Sequence, residues 1–155
     1  MGSLPSVRGA AQQAAQAAYK KALEVASAAD ARLIFLSAID TGSRRLVQLH
    51  LDNGVDANQQ TPEGRSALHP AAAGGHEAVV QLLLTCQGVE VNPRDQHGRT
   101  PLSWAAGGGF IAVVELLLAH PGVEADAEDE VRRTPLSWAA SRGFNVVAEI
   151  LIARP

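Results

Sequence analysis

An all-α solenoid of stacked helix-turn-helix units is the fold this sequence predicts. Three observations carry that reading. A short block recurs at a fixed interval of 34 residues: Ser66-Ala67-Leu68-His69-Pro70-Ala71-Ala72, then Thr100-Pro101-Leu102-Ser103-Trp104-Ala105-Ala106, then Thr134-Pro135-Leu136-Ser137-Trp138-Ala139-Ala140. A second block keeps the same register, as Val79-Val80-Gln81-Leu82-Leu83-Leu84, Val113-Val114-Glu115-Leu116-Leu117-Leu118 and Val147-Ala148-Glu149-Ile150-Leu151-Ile152. Self-similarity at a period of this length marks a repeat architecture. Aromatic residues make up only 4% of the 155 residues, so Ala, Val, Leu and Ile must build the core. That disfavours a sandwich of half-buried strands, which draws on β-branched and aromatic residues.

Taken in order, residues 1–8 read as a flexible N-terminus. Met1-Gly2-Ser3-Leu4-Pro5-Ser6 fits the myristoylation pattern formally, a match that is common by chance. Residues 9–29 are rich in Ala, Gln and Lys, which favour helix. Ala11, Ala15, Ala18, Ala22 and Val25 fall at helical spacing, so a helix outside the repeat should cap the first unit. The repeat region covers 30–155, in units of about 30–60, 61–94, 95–128 and 129–155. The first unit is degenerate: Phe35-Leu36-Ser37-Ala38 stands for the first block and Leu46-Val47-Gln48-Leu49-His50-Leu51 for the second.

Each unit reads as helix, turn, helix, loop. Thr100 and Thr134 are N-cap residues, whose hydroxyls can accept from an orphan N–H of the first turn. Pro101 and Pro135 follow at the first helical position, where a missing N–H costs nothing. Gly75, Gly109 and Gly143 end the first helices in the left-handed conformation. The second helices carry apolar residues at i, i+3 and i+4, so one face is buried. A lone unit cannot bury its own apolar faces, and stacking supplies the common core. Two positions break the pattern. Pro70 stands where the later units have Trp, near the fourth helical position, and should make that helix less regular. Arg132 stands where Gly64 and Gly98 stand; if the backbone there has positive φ, the side chain strains it.

The run Asp95-Gln96-His97-Gly98-Arg99-Thr100-Pro101-Leu102-Ser103-Trp104-Ala105-Ala106 resembles the ankyrin repeat, and the resemblance extends over roughly residues 31–154. The Arg-Thr-Pro-Leu-Ser-Trp-Ala-Ala wording is similar to arrays found in filamentous fungi. The resemblance implies stacked helix pairs joined by loops or short β-hairpins. It implies that His69 and His76 hydrogen-bond loops to hold units in register, and that Trp104 and Trp138 are partly buried between units. It also implies an interaction module that binds a protein or peptide along a groove of loop tips and first helices. Carried over by position, the partner-binding residues are Glu63, Arg65, Arg94, Gln96, His97, Arg99, Glu130, Val131, Arg133, Ser141 and Arg142. Ala73, Gly74, Gly107 and Gly108 would floor the groove with small residues.

The residues themselves add constraints. The net charge is −3, which gives no reason to expect nucleic-acid binding. No apolar run reaches the ~18 residues of a membrane span. Cys86 is the single cysteine, which fits a reducing, intracellular compartment, cytoplasmic or nuclear. No nucleophile is paired with a base, no His/Cys/Asp/Glu set has metal-ligand spacing, and no cofactor motif is present. Gly107-Gly108-Gly109 ends a helix rather than opening one, so it is not a phosphate loop. His50 and His120 end second helices, where imidazole suits the helix dipole. An enzyme or small-molecule site in the same groove remains the alternative, using Asp95, His97, Glu128, Asp129 and Glu130. As loop-tip groups these should titrate normally. A structural spacer is a third reading.

Two further expectations concern partners. Arg65, Arg99 and Arg133 recur every 34 residues, immediately before each helix, so stacking should align them as a ladder. With Arg94 and Arg142 they predict a basic groove and an acidic partner. The last helix keeps Val146, Val147, Ile150, Leu151 and Ile152, as apolar as an internal unit. Continuation of the array or self-association through that helix is therefore expected.

Overall fold

The computed structural model describes residues 6–154. Among them lie nine helices: α1 (Val7–Val25), α2 (Ala28–Asp40), α3 (Arg44–Asp52), α4 (Leu68–Ala73), α5 (Glu77–Leu84), α6 (Pro101–Gly108), α7 (Ile111–Leu118), α8 (Pro135–Ser141) and α9 (Asn145–Ala153). Helices α2 to α9 form four antiparallel pairs. First helices stack in the order α2, α4, α6, α8 and second helices in the order α3, α5, α7, α9. The myristoylation pattern lies almost wholly outside the described residues. Helix α1 already starts at Val7, so residues 7 and 8 are helical rather than flexible.

Small residues make close stacking possible. Ala71, Ala72, Ala105, Ala106 and Ala139 are fully buried on the first helices. The second helices contribute Val47, Val79, Val80, Leu83, Val113, Val114, Leu117 and Leu151, and the inner faces of the first contribute Leu68 and Leu102, with Phe35 and Ile39 at the start of the stack. Among the described residues no helix is long and apolar enough to cross a membrane.

The caps follow the sequence. Ser103 N–H donates to Thr100 Oγ1 at 3.3 Å. Thr134 and Ser137 exchange bonds reciprocally, at 3.2 and 2.9 Å. Gly75, Gly109 and Gly143 take φ of 67°, 73° and 77°. Pro70 has the expected effect. Helix α4 is the shortest first helix: it starts only at Leu68, has no side-chain cap, and lacks the bond that the Trp104 and Trp138 N–H groups make to the carbonyls of Thr100 and Thr134. The late start leaves Pro70 at the third position, where a missing N–H is an orphan in any helix.

Three features tie the units together. His69 Nδ1 accepts from Ser66 N–H at 3.1 Å, which leaves the proton on Nε2, and Nε2 donates to the Arg99 carbonyl at 3.0 Å. His76 Nε2 reaches the Asp40 carbonyl at 2.9 Å. Asn58 and Asn92 each donate to a carbonyl of the next unit, Gly88 and Gly122, and accept an N–H from it, of Glu90 and Glu124. The loops themselves carry no strand among the described residues, so the expected short β-hairpins are turns. Each holds two backbone bonds of its own, as Asp95 N–H to Arg99 O at 3.0 Å and Gly98 N–H to Asp95 O at 2.9 Å, and single bonds join neighbouring tips: Gln96 N–H to Glu63 O at 2.8 Å and Glu130 N–H to His97 O at 3.0 Å. One bond between neighbouring tips is too few for a ladder.

Helix α1 seats loosely. None of its residues is buried. Tyr19 is its anchor: the phenol hydroxyl meets His50 Nε2, and the two rings pack edge-on at 4.8 Å. A hollow of about 720 Å³ separates α1 from α3. Leu33, Ile34 and Leu46 stay exposed beside it. His50 corrects a helix-end expectation. It is fully buried, with Nδ1 donating to the Leu46 carbonyl at 2.7 Å. Burial lowers its pKa, against the raising effect of that bond, so the ring is neutral rather than a cation on the dipole.

Candidate functional site

The loops before α6 and α8 are built around a buried aspartate. Asp95 Oδ1 accepts the N–H groups of His97 and Arg99, both at 2.9 Å. Its Oδ2 accepts Arg99 Nε at 3.0 Å and the Trp104 indole N–H at 3.1 Å. Asp129 repeats the arrangement with Val131 and Arg133 N–H at 3.0 and 2.9 Å, Arg133 Nε at 3.3 Å and the Trp138 indole at 3.1 Å. The expectation that these loop-tip acids titrate normally is therefore wrong. Burial alone would raise both pKa values. The N–H donors and the neighbouring guanidinium outweigh it and hold both carboxyls below the usual carboxylate range.

The same aspartates aim the arginines. With Nε fixed on Asp95, the Arg99 guanidinium lies 4.0 Å from the Trp104 ring centroid. Arg133 lies 3.8 Å from that of Trp138. Each indole has a second cation near it: Arg65 at 5.5 Å from Trp104 and Arg142 at 5.4 Å from Trp138. Such contacts are favourable by ~0.5–1 kcal/mol at exposed sites. The arginines thus share one face, but they are of two kinds. Arg99 and Arg133 are paired and stacked, whereas Arg65 and Arg142 have no carboxylate partner among the described residues.

Between the two indoles is a hollow of about 130 Å³, lined by Ala73, Arg99, Ser103, Trp104, Gly107, Gly108, Trp138 and Arg142. Arg142 crosses it to donate to the Gly107 carbonyl at 3.0 Å. The floor is only partly the expected one. A Cβ on Gly74 would strike the His76 ring at 2.4 Å, and one on Gly108 would strike Phe110 at 2.4 Å. Those glycines seat the ring that follows the turn. Gly107 is the one whose missing side chain leaves free space: its Cβ would sit 3.6 Å from Trp138.

The other predicted site residues fall in three places. Glu63, Gln96, His97, Glu130 and Val131 are exposed at the loop tips, with Gln96 Nε2 3.1 Å from His97 Nε2. The Thr61 hydroxyl holds the Glu63 carboxyl below its ordinary pKa. Ser141 is exposed next to Arg142 and donates to the Trp138 carbonyl at 3.0 Å. Arg94 is not brought to this face's free cations. It clamps two units, donating to the carbonyls of Gly98 and Glu128 and to Glu124. At the far end Val147 and Leu151 are buried, and of the large apolar residues of α9 only Val146 and Ile152 are exposed. Among the described residues no three His, Cys, Asp or Glu side chains come together as metal ligands would. Cys86 is half-buried, and burial raises its thiol pKa, so it is not an activated nucleophile.

Stacked helix pairs, loop tips tied one to the next and a basic aromatic face define an all-α repeat solenoid of the kind that binds other proteins. A family model described as ankyrin repeats, in three copies, matches residues 34–129, more than half of the chain. The chain belongs to the ankyrin-repeat family. Proteins of this family are generally protein–protein interaction modules and typically non-enzymatic. The pair α8 and α9 lies beyond the matched stretch and repeats the cap, turn and Asp-Arg-Trp contacts of α6 and α7.

Proposed function

We propose that the chain is a protein-interaction module whose loop-tip face takes an acidic, extended segment of a partner protein. Two cations without an ion pair support this. Arg99 and Arg133 are tied to Asp95 and Asp129, and Glu63 and Glu130 stand at the same loop tips, but Arg65 and Arg142 form no ion pair with any described carboxylate. A local basic row on an acidic protein steers anionic segments to that row. The low floor at Ala73 and Gly107 suits a narrow, extended occupant. The competing small-molecule or enzymatic reading has less support. The hollow is well below the ~300–1,000 Å³ of typical ligand pockets, and its nearest acids are already fully hydrogen-bonded.

The experiment compares a hexaglutamate peptide with hexaglutamine on the intact chain and on the double variant Arg65→Glu/Arg142→Glu. Both arginines are exposed and neither has a carboxylate partner among the described residues, so the fold should hold. Reversing Arg99 or Arg133 would instead set a carboxylate against a buried aspartate and break the loop. Hexaglutamate should bind at low salt and hexaglutamine should not. The double variant should lose at least about tenfold, mainly in association rate, with the loss fading at high salt. Equal binding of the two peptides, or unchanged affinity in the variant, would contradict the proposal.

A further inference from the structure

We infer that the hollow between Trp104 and Trp138 seats one carboxylate side chain of the acidic segment, gripped by the guanidinium groups of Arg99 and Arg142. The inference rests on the proposed acidic partner and adds where one of its acids is held. Four observations carry it. The hollow, about 130 Å³, holds roughly four waters at ~30 Å³ each, the size of an Asp or Glu side chain. Two cations and no acid line it. Most of their guanidinium donors are unspent: Arg99 commits Nε to Asp95 and Arg142 commits Nη1 to the Gly107 carbonyl, and the other guanidinium N–H groups of both donate to nothing among the described residues. Finally, both guanidiniums are held in place before any ligand arrives, Arg99 by Asp95 and the Trp104 face, Arg142 by the Gly107 carbonyl beside Trp138.

Pre-positioned forks lose little freedom on binding and match the planar carboxylate with parallel hydrogen bonds. The indoles wall the seat and exclude water from its sides, which strengthens those bonds. The adjacent Ser103 belongs to the lining, and its hydroxyl shares a 3.2 Å hydrogen bond with that of Thr100. An acid entering here would replace solvent around Arg142, the lining cation that lacks a carboxylate of its own.

Two charge-conserving variants separate a specific seat from a general basic field. Arg142→Lys keeps the charge and loses the fork. Gly107→Ala narrows the hollow, its Cβ in ordinary contact with Trp138 at 3.6 Å, and leaves every charge in place. Hexaglutamate is titrated into the full chain and followed by the emission of Trp104 and Trp138, the only two tryptophans. Wild type should show a saturable emission change, and each variant should bind at least about threefold more weakly while melting no lower than about 2 °C below wild type. If both variants bind as wild type does, or if hexaglutamate binds without moving the emission, the seat is wrong and the acidic groove, tested by charge reversal, still stands. If hexaglutamate does not bind wild type at all, the acidic groove falls and the seat falls with it.

Discussion

Loops 61–65 and 95–99 stand at the same place in neighbouring units and make the same turn, yet they hold their arginines differently. Both close on a bond from the first N–H to the last carbonyl, at 2.8 and 3.0 Å, and both place a left-handed glycine fourth. In the later loop Asp95 ties Arg99 to Trp104. In the earlier one Thr61 replaces the aspartate and Pro70 replaces the tryptophan, and Thr61 offers only a 3.3 Å acceptor for Arg65 N–H. Arg65 is left exposed and reaches across to the next unit's indole. The backbone turn therefore does not need the cluster. The cluster's work is to fix a guanidinium on a ring, and it needs Asp and Trp together.

The sharpest way to break this comparison is to remove the aspartate. Asp95→Ala leaves two backbone N–H groups, an indole and a guanidinium without their acceptor and should cost about 3 kcal/mol. Asp129→Ala should cost less, about 2 kcal/mol, because Arg133 is more exposed than Arg99. Thr61→Ala should cost under about 1 kcal/mol. Chemical denaturation of the three variants checks the order, and equal losses would erase the distinction between the loops.

Acid should expose the same contrast. Folding lowers the pKa of Asp95 and Asp129, so below about pH 4 the unfolded chain binds more protons and stability falls. His50 and His69 are lowered too, chiefly by burial, so an earlier decline should begin below about pH 6.5 by the same sign. Melting temperature against pH should thus drop in two steps. The double variant Asp95→Asn/Asp129→Asn should keep the upper step and lose most of the lower one; an unaltered lower step would place the acid-sensitive carboxylates elsewhere.

A smaller effect is expected at the third loop. Arg132 takes φ 61°, the one positive value outside glycine among the described residues. At Gly98 a Cβ would come within 3.2 Å of the Glu130 nitrogen in the next loop, and at Gly64 within 2.9 Å of the Arg94 carbonyl. No further loop among the described residues lies against Arg132, so its Cβ has room and only the strain remains. Arg132→Gly should raise stability by about 1 kcal/mol in thermal melting, set against the exposed Arg132–Glu128 pair, which is worth little. The smallest change sharpens the comparison from the other side: Thr61→Asp should gain about 0.5 kcal/mol by giving Arg65 its missing acceptor. A loss there would mean that loop 61–65 cannot accept the carboxylate.

Much of the fold was legible because repetition makes each signal appear several times. The caps at Thr100 and Thr134, the left-handed Gly75, Gly109 and Gly143, and the strained Arg132 all follow from local rules. The site was legible in position but not in chemistry. A lone Asp at a loop tip reads as solvated, and its burial depends on a tryptophan nine residues later. The signal was present all the same: Asp, Arg and Trp occur together at 95, 99 and 104 and at 129, 133 and 138, and both Asp and Trp are missing at 61 and 70. His50 and Gly108 were misread for a related reason. Their roles depend on Tyr19 and Phe110, contacts that no helix periodicity encodes.

The basic aromatic face as the binding surface is tested most directly by nitrogen–proton correlation spectra of the labelled chain, in which two indole N–H signals stand apart from the backbone. Hexaglutamate added at low salt should move both signals in step and to saturation, along with backbone signals of Arg99, Gly107 and Arg142, and hexaglutamine should move none. Unmoved indole signals, with shifts gathered instead on α1 or on the outer face of α9, would contradict it.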